Sequence, residues 1–352
     1  MAQDTDVQTT GEDREAVEAV PLVHPQETSH SFEYGSTYRD FLISGMPDKV
    51  ARAERLYKIL DERDLKKRIG QFRQCRSNAW FVRHKTTHEV RVASSRCNLR
   101  WCPLCIKTKR FIMQASIIPW VKAAQKPKFI TLTLKHSKEP LPAQIDRLYK
   151  SFKLLRGRKL WKDRIKGGLW FFQVKWSAKS DSWHPHLHVI CEGRYVNNRN
   201  LQSTWLDITG DSMVVDIRAV KDPKKTAEYV SRYATAPANM DDLSDAEAVE
   251  VFDAMAGRRV CGTFGTGKAI QLVPKKCPDA DDWEEIGSFW AVVNFRHQDE
   301  DAKAIFRAWT RGEPCKATMN PPPPDPDLMD SHKTEKPATY VQSVFEWSSF
   351  YK

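Results

Sequence analysis

The residues His184-Pro185-His186-Leu187-His188-Val189-Ile190-Cys191 constrain this chain more than any other stretch. Run as a strand, successive side chains alternate faces, so His186 and His188 project from one side about 6.6–6.8 Å apart along the chain. Two imidazoles can then converge on one metal ion. Leu187, Val189 and Cys191 turn to the opposite face, where burial would hold the ligands rigid. A single strand histidine is ordinarily a satisfied core or surface residue, but three at alternate positions give up too much apolar burial for that role. His184 shares the face behind Pro185 and is a candidate third ligand.

The rest of the composition says what such a site would act on. The chain has 352 residues, 41% of them hydrophobic, enough for one large domain or two modest ones. No apolar run reaches membrane-spanning length and the N-terminal stretch is acidic, so the chain is read as soluble and cytosolic. The net charge of +11 is unevenly spread: residues 51–240 carry an excess of 25 positive charges, whereas 1–50 and 241–352 each carry an excess of 7 negative ones. A basic centre interleaved with tryptophans fits a nucleic-acid footprint, with cations for phosphates and aromatic faces for unstacked bases.

Four regions follow. Residues 1–45, polar and acidic, read as a disordered tail. Residues 46–125 read as a basic helical and zinc-knuckle region. In it, Val50, Leu56, Tyr57, Leu60 and Leu65 suggest an amphipathic helix, followed by Cys97-Asn98-Leu99-Arg100-Trp101-Cys102-Pro103-Leu104-Cys105. Cys97, Cys102 and Cys105 at these spacings suit tetrahedral thiolate coordination of a structural Zn²⁺, with Cys75 as fourth ligand and His84 or His88 as substitutes. Arg100 within the knuckle, Lys107, Lys109 and Arg110 just beyond it, and Arg232 further along are candidate DNA-binding residues that could grip phosphate.

Residues 126–240 read as the catalytic domain. Phe129–Leu134 alternates as a strand, and Ile145, Leu148, Tyr149, Phe152 and Leu155 recur at helical spacing. Gly167-Gly168 breaks the helical pattern, and Trp170, Phe172, Val174 and Trp176 alternate as a strand that forms a hairpin with the histidine strand. A helix near Asn198–Leu206, a strand at Met213–Ala219 and a helix from Pro223 complete the order β-α-β-β-α-β-α. The fold class is α+β, a ferredoxin-like antiparallel sheet with helices on one face.

The last helix carries Tyr229 and Tyr233, four apart and so on one face. A buried aromatic stripe is the usual reason for such a pair; beside a histidine metal strand in a basic protein, chemistry becomes the better one. A tyrosine hydroxyl can attack phosphorus if a divalent ion polarises the phosphate and offsets the developing charge. A 3′-hydroxyl then leaves and the 5′-phosphate stays on the tyrosine. One phosphodiester replaces another, so the strand can be rejoined without ATP.

From Cys97 to Tyr233 the chain resembles the HUH endonucleases, specifically the replication initiator proteins of rolling-circle plasmids. The resemblance rests on the Cys-x4-Cys-Pro-x-Cys knuckle and on the motifs Phe129-Ile130-Thr131-Leu132-Thr133, His184-Pro185-His186-Leu187-His188 and Tyr229-Val230-Ser231-Arg232-Tyr233. Trp205, Gly210-Asp211-Ser212 and Val215-Asp216-Ile217 follow the same course. It implies the HUH nuclease fold, Mg²⁺ or Mn²⁺ on His186 and His188, Tyr233 as nucleophile, Tyr229 as a second tyrosine for the closing transfer, and a nick at a single-stranded or hairpin origin. Two positions depart from the pattern. A glutamate usual on the preceding strand is Gln173 here, leaving the third ligand open among Gln173, His184 and His136. The lysine usual after the third motif is missing from Ala234-Thr235-Ala236-Pro237, and Arg232 or Lys225 is left to supply its charge.

Residues 241–352 read as an accessory region. Ser244 and Glu247 form a capping box for a helix through Met255. Gly262–Ala269 nearly fits a phosphate-binding loop, but Ala269 replaces its Mg²⁺-binding Ser or Thr, so it reads as a glycine-rich turn. From Met319 onward, with four prolines at 321–324, the chain reads as flexible, and its aromatic end docks back or binds a partner such as host helicase or polymerase. The function that follows is origin-specific DNA nicking and joining. A transposase or mobilisation relaxase shares the chemistry, and a non-catalytic zinc-containing nucleic-acid-binding regulator is the rival of a different kind.

Overall fold

The computed structural model describes residues 38–43, 46–272, 280–311 and 313–317. In chain order these form α1 (Tyr38–Ile43), α2 (Pro47–Glu62), α3 (Lys66–Arg73), β1 (Ala79–His84), β2 (Glu89–Ser94), α4 (Pro103–Ala123), β3 (Lys128–Thr133), α5 (Leu141–Gly157), α6 (Lys159–Arg164), β4 (Ile165–Ser177), β5 (Ser182–Gly193), α7 (Asn198–Thr209), β6 (Val215–Ala219) and α8 (Pro223–Thr235). They continue as α9 (Asp245–Ala254), β7 (Cys261–Gly265), β8 (Trp283–Ser288), α10 (Phe289–Phe295), α11 (Glu300–Arg311) and β9 (Cys315–Lys316).

The larger sheet has the order β6-β3-β5-β4-β7 and is antiparallel at every pairing. Its course follows the expected β-α-β-β-α-β-α order with one further short helix, α6, inserted before β4. Alternation decides its two faces. Ile130 and Leu132, Phe172 and Val174, and Leu187, Val189 and Cys191 pack against Ile145, Leu148 and Phe152 of α5 and Leu201 and Trp205 of α7. Trp205 is fully buried and donates its indole N–H to Thr133 O at 2.9 Å. Each large apolar side chain buried this way contributes roughly 1.5–3 kcal/mol. The opposite face, which carries the histidines, is also covered: Met113, Ile117 and Val121 of α4 and Ala227 and Val230 of α8 pack on Leu169, Phe171 and Ile190. Helices therefore lie on both faces, not one. A strand with apolar residues at both parities, as β4 has in Leu169-Trp170-Phe171-Phe172, needs cover on both sides.

Gly167 and Gly168, expected to end a helix, lie inside β4. A Cβ at Gly168 would come within 2.2 Å of Ile190 O, and one at Gly167 within 2.2 Å of Thr266 N. The pair thus lets backbones meet. The glycine-rich run at 262–269 is the matching surface: Gly262–Gly265 belongs to edge strand β7, and a short turn follows over Thr266–Ala269.

The smaller sheet, β8-β1-β2-β9, joins an early hairpin to two strands from the far end of the described chain. Phe81, Val90 and Val92 pack there with Phe289, Val292 and Ile305. Tyr38 of α1, inside the segment read as a disordered tail, is fully buried in this cluster with its ring 4.6 Å from that of Phe289. The rest of that tail, and the proline-rich and aromatic segments from Met319, lie outside the described residues. The region read as accessory is built into both sheets, since β7 extends the first while β8 and β9 extend the second. Its helix α9 begins at the expected capping box of Ser244 and Glu247.

Candidate metal centres and tyrosine site

The four cysteines meet. Cys75 follows α3, Cys97 lies in the loop between β2 and α4, and Cys102 and Cys105 open α4; all four are buried, with sulfurs within 4.8 Å of one another. Cys75 Sγ lies 3.8 Å from Cys102 Sγ and 3.5 Å from Cys105 Sγ, and Cys97 Sγ lies 3.7 Å from Cys105 Sγ. A tetrahedron of about 2.3 Å zinc–sulfur bonds has edges of about 3.8 Å, so the donor set fits zinc with no further ligand needed. The contact with Cys102, then those with Cys75 and Cys97, holds the Cys105 thiol far below its ordinary value, and the contact with Cys105 pushes Cys102 up. Asn98 and Trp101 take left-handed backbone (φ 53 and 64°), a strain that a four-point staple can hold.

His84 and His88 are not part of this centre. His84 Nδ1 accepts from Thr86 N and Thr87 N, each at 3.2 Å, and shapes the turn between β1 and β2, where His88 is left-handed at φ 57°. The β1–β2 hairpin was not anticipated, although Trp80-Phe81-Val82 and Val90-Arg91-Val92 carry the apolar signal for it.

The histidine strand supplies the second cluster. Register places Gln173 opposite His186, and Thr131 opposite His188. Gln173 Oε1 lies 2.6 Å from His186 Nε2 and 2.8 Å from His188 Nε2, so the three atoms converge on one point. Burial first, then His188, pushes the His186 imidazole down to about 3, and burial, then Lys175, pushes His188 down to about 4. Both rings are therefore neutral and have lone pairs to offer. Thr131 Oγ1 stands 3.3 Å from His188 Nδ1, which orients that ring and favours Nε2 as the outward donor. Two neutral imidazoles and an amide oxygen suit a divalent ion such as Mn²⁺ or Mg²⁺ that keeps open positions.

The other two candidates for third ligand lie elsewhere. His136 and His184 meet edge-to-face with ring centroids 3.3 Å apart, and His136 Nδ1 meets Ser180 and Ser182 hydroxyls at 2.9 and 3.1 Å. Among the described residues, no three His, Cys, Asp or Glu other than the cysteines bring ligand atoms within 4.8 Å of one another. His184 thus shares the strand face of His186 and His188 without joining their cluster.

Helix α8 brings the tyrosines to the histidines. Asp222 caps its start by accepting from Lys225 N, and Pro223 occupies the first turn. Its buried stripe packs on α4, where Gln114 Nε2 donates to Ser231 Oγ at 3.0 Å and Arg110 Nε to Thr235 Oγ1 at 3.2 Å. The tyrosine face is thereby fixed toward the sheet. Tyr233 stacks on His188 with centroids 5.0 Å apart, Tyr229 meets His188 edge-on at 5.4 Å, and the two tyrosines are 5.1 Å apart. Burial first, then Tyr229, pushes the Tyr233 phenol above its ordinary value, while a hydrogen bond from Gln173 works the other way. Phe129, which opens the first motif but was given no role of its own, stacks on His188 at 5.4 Å and braces Tyr229 at 5.8 Å. Its place at the same strand parity as Thr131 was the available signal.

The basic residues divide. Arg100 gives its guanidinium to Met255 O and Arg258 O at 2.8 and 3.1 Å, so it closes the end of α9 and is withdrawn from the list of phosphate ligands. Lys109 Nζ donates to Asn98 O at 2.5 Å beside the cysteine cluster. Lys107 and Arg232 are exposed, and Arg110 lies half-buried near Arg232. Much of the positive charge of α2 is answered internally: Arg52, Lys58 and Arg63 pair with Asp241, Asp245 and Asp253 at 2.6, 2.7 and 2.6 Å. Among the described residues, no helix is long and apolar enough to cross a membrane.

A sheet that presents two strand histidines to two helical tyrosines beside a four-cysteine knuckle is the arrangement the resemblance to replication initiators implied. A family model described as replication protein matches residues 89–314, and the chain belongs to that family. It is similar to the protein rep of Staphylococcus aureus, 26% identical over 178 residues that cover 45% of this chain and 78% of that one. It is also similar to the protein rep of a Bacillus species, 25% identical over 177 residues, 45% of this chain but only 57% of the relative. No solved structure matches.

Proposed function

We propose that this protein is a plasmid rolling-circle replication initiator of the HUH type, which nicks single-stranded or hairpin origin DNA and rejoins it through a 5′-phosphotyrosine. The observation that carries the reading is the stacking of Tyr233 on His188, whose Nε2 shares Gln173 Oε1 with His186. His186, His188 and Gln173 would hold Mg²⁺ or Mn²⁺, which when bound polarises the phosphate and offsets the charge that builds on it.

Tyr233 Oη attacks phosphorus. The Oη–P bond forms, the P–O3′ bond breaks, the phenol proton passes to solvent, and the departing 3′-oxygen takes up a proton. A buried phenol with a raised pKa is a poor nucleophile by itself, so the Gln173 amide, hydrogen-bonded in the sense that favours the phenolate, assists the attack. Tyr229, 40% exposed and edge-on to the same histidine, is placed to perform the second transfer that closes the circle. Lys107, Lys109, Arg110 and Arg232 hold the backbone of the strand, and the zinc knuckle keeps α4, and through it α8, in position. The cytosol of a plasmid-bearing cell is the compartment this activity requires.

The test uses single-stranded origin oligonucleotide labelled on its 3′ side, incubated with the protein and Mn²⁺. A labelled, SDS-resistant protein band is expected. Its absence where binding is demonstrated would leave a non-catalytic DNA-binding protein.

A further inference from the structure

A cavity of about 410 Å³ lies between α2, the knuckle end of α4 and the chain that follows α8. It is lined by the apolar and aromatic side chains Trp101, Ile106, Phe111 and Met240 and by the cations Lys107 and Arg110. Asp241 also lines it but is paired with Arg52 at 2.6 Å. The walls are fixed by hydrogen bonds: Trp101 Nε1 donates to Ala238 O at 3.2 Å, and Arg110 to Thr235 at the end of the tyrosine helix. Ala236, another wall residue, lies three residues beyond Tyr233, about 4.5 Å along the helix axis. An apolar slot of this volume with cations in its lining, walled by the chain that leaves the tyrosine helix, matches one chemical class well: a nucleotide whose base is out of the stack and whose phosphate stays outside.

We infer that this cavity receives an unstacked base of the single strand next to the phosphate attacked by Tyr233. The inference rests on the nicking reading for the position of that phosphate, but not for the binding itself. Phe111, half-buried on α4, offers the base a ring face, and the Asn239 amide at the lip offers a donor and an acceptor to a base edge. The neighbouring cations neutralise the flanking phosphates. The strand would be gripped at a base as well as along its backbone, which fixes its register relative to the tyrosines.

The experiment compares two probes of about twenty nucleotides, oligo-dT and an abasic strand of equal length and charge, by fluorescence anisotropy on the full chain without added Mn²⁺. Wild type is expected to bind oligo-dT at least about tenfold more tightly. Phe111→Ala removes the ring face and Ile106→Trp fills the cavity; in each the preference is expected to shrink to within about twofold, with abasic binding unchanged. Equal binding of the two probes by wild type, or retention of the wild-type preference in either folded variant, overturns the inference. Adduct formation with origin DNA and Mn²⁺ is scored separately on the same wild-type preparation. A base preference that both variants abolish, without adduct, supports the cavity and sinks the nuclease reading; adduct with no base preference does the reverse.

Discussion

The cysteine cluster and the histidine cluster are both sets of side chains that could hold a metal ion, yet they are built on opposite plans. The four sulfurs are fully enclosed, charged when ligated and sufficient in number, so the site is closed and its business is architecture. The histidine site has two neutral nitrogens and one amide oxygen, opens toward two tyrosines, and stops short of a full coordination shell. Completeness suits a structural centre; incompleteness suits the proposed chemical one. The two are mechanically connected, because Cys102 and Cys105 begin the helix against which the tyrosine helix packs.

That contrast is best strained by removing a ligand from each. Cys105→Ser should abolish zinc content and cooperative folding together, because structural zinc contributes on the order of 10 kcal/mol to a site like this; metal analysis and a thermal melt read both. His188→Ala should leave the melt within a few degrees of wild type while adduct formation falls by about a thousandfold or more. If His188→Ala unfolds the protein and Cys105→Ser does not, the roles have been assigned backwards. Tyr233→Phe should match the histidine variant in activity, whereas Tyr229→Phe should still form the first adduct and fail in the second transfer.

A finer test changes the donor at Gln173. Gln173→Glu adds charge at the point where both Nε2 atoms converge and should tighten Mn²⁺ binding by about tenfold, read by calorimetry. Unchanged affinity would remove Gln173 from the ligand set.

The last expected effect is a pH dependence arising at the histidine centre. His186 and His188 titrate near 3 and 4 when folded, against about 6.5 when unfolded. As pH falls below 6.5 the unfolded chain takes up protons first, so metal-free stability should decline by roughly 5 kcal/mol between pH 6.5 and 4. Well above 6.5 these groups contribute no slope. Denaturant titrations should show a shallower decline in His188→Ala, and saturating Mn²⁺ should shift the wild-type decline to lower pH.

What the sequence disclosed was whatever depends on short-range periodicity. Alternation in His184–Cys191 gave both faces of β5, the four-residue spacing gave the shared face of Tyr229 and Tyr233, and cysteine spacing gave the knuckle. Partnerships over long separations stayed hidden. Nothing near Trp80–Arg83 announces that residues 283–288 will pair with them, and the basic row on α2 looked free for DNA until Asp241, Asp245 and Asp253 were found across from it. Arg100 illustrates the same limit, since a cation beside a knuckle looks like a phosphate ligand until its carbonyl partners are known. Gly167-Gly168 misled because a glycine pair signals both a break and a close approach, and only the Ile190 and Thr266 backbones decide between them.

The most direct measurement is to map the covalent DNA adduct by mass spectrometry of its proteolytic peptides, in wild type and in His186→Ala. The account predicts a 5′-linked nucleotide on Tyr233 in wild type and almost none in the histidine variant. A nucleotide attached elsewhere, or an undiminished yield in His186→Ala, would contradict it.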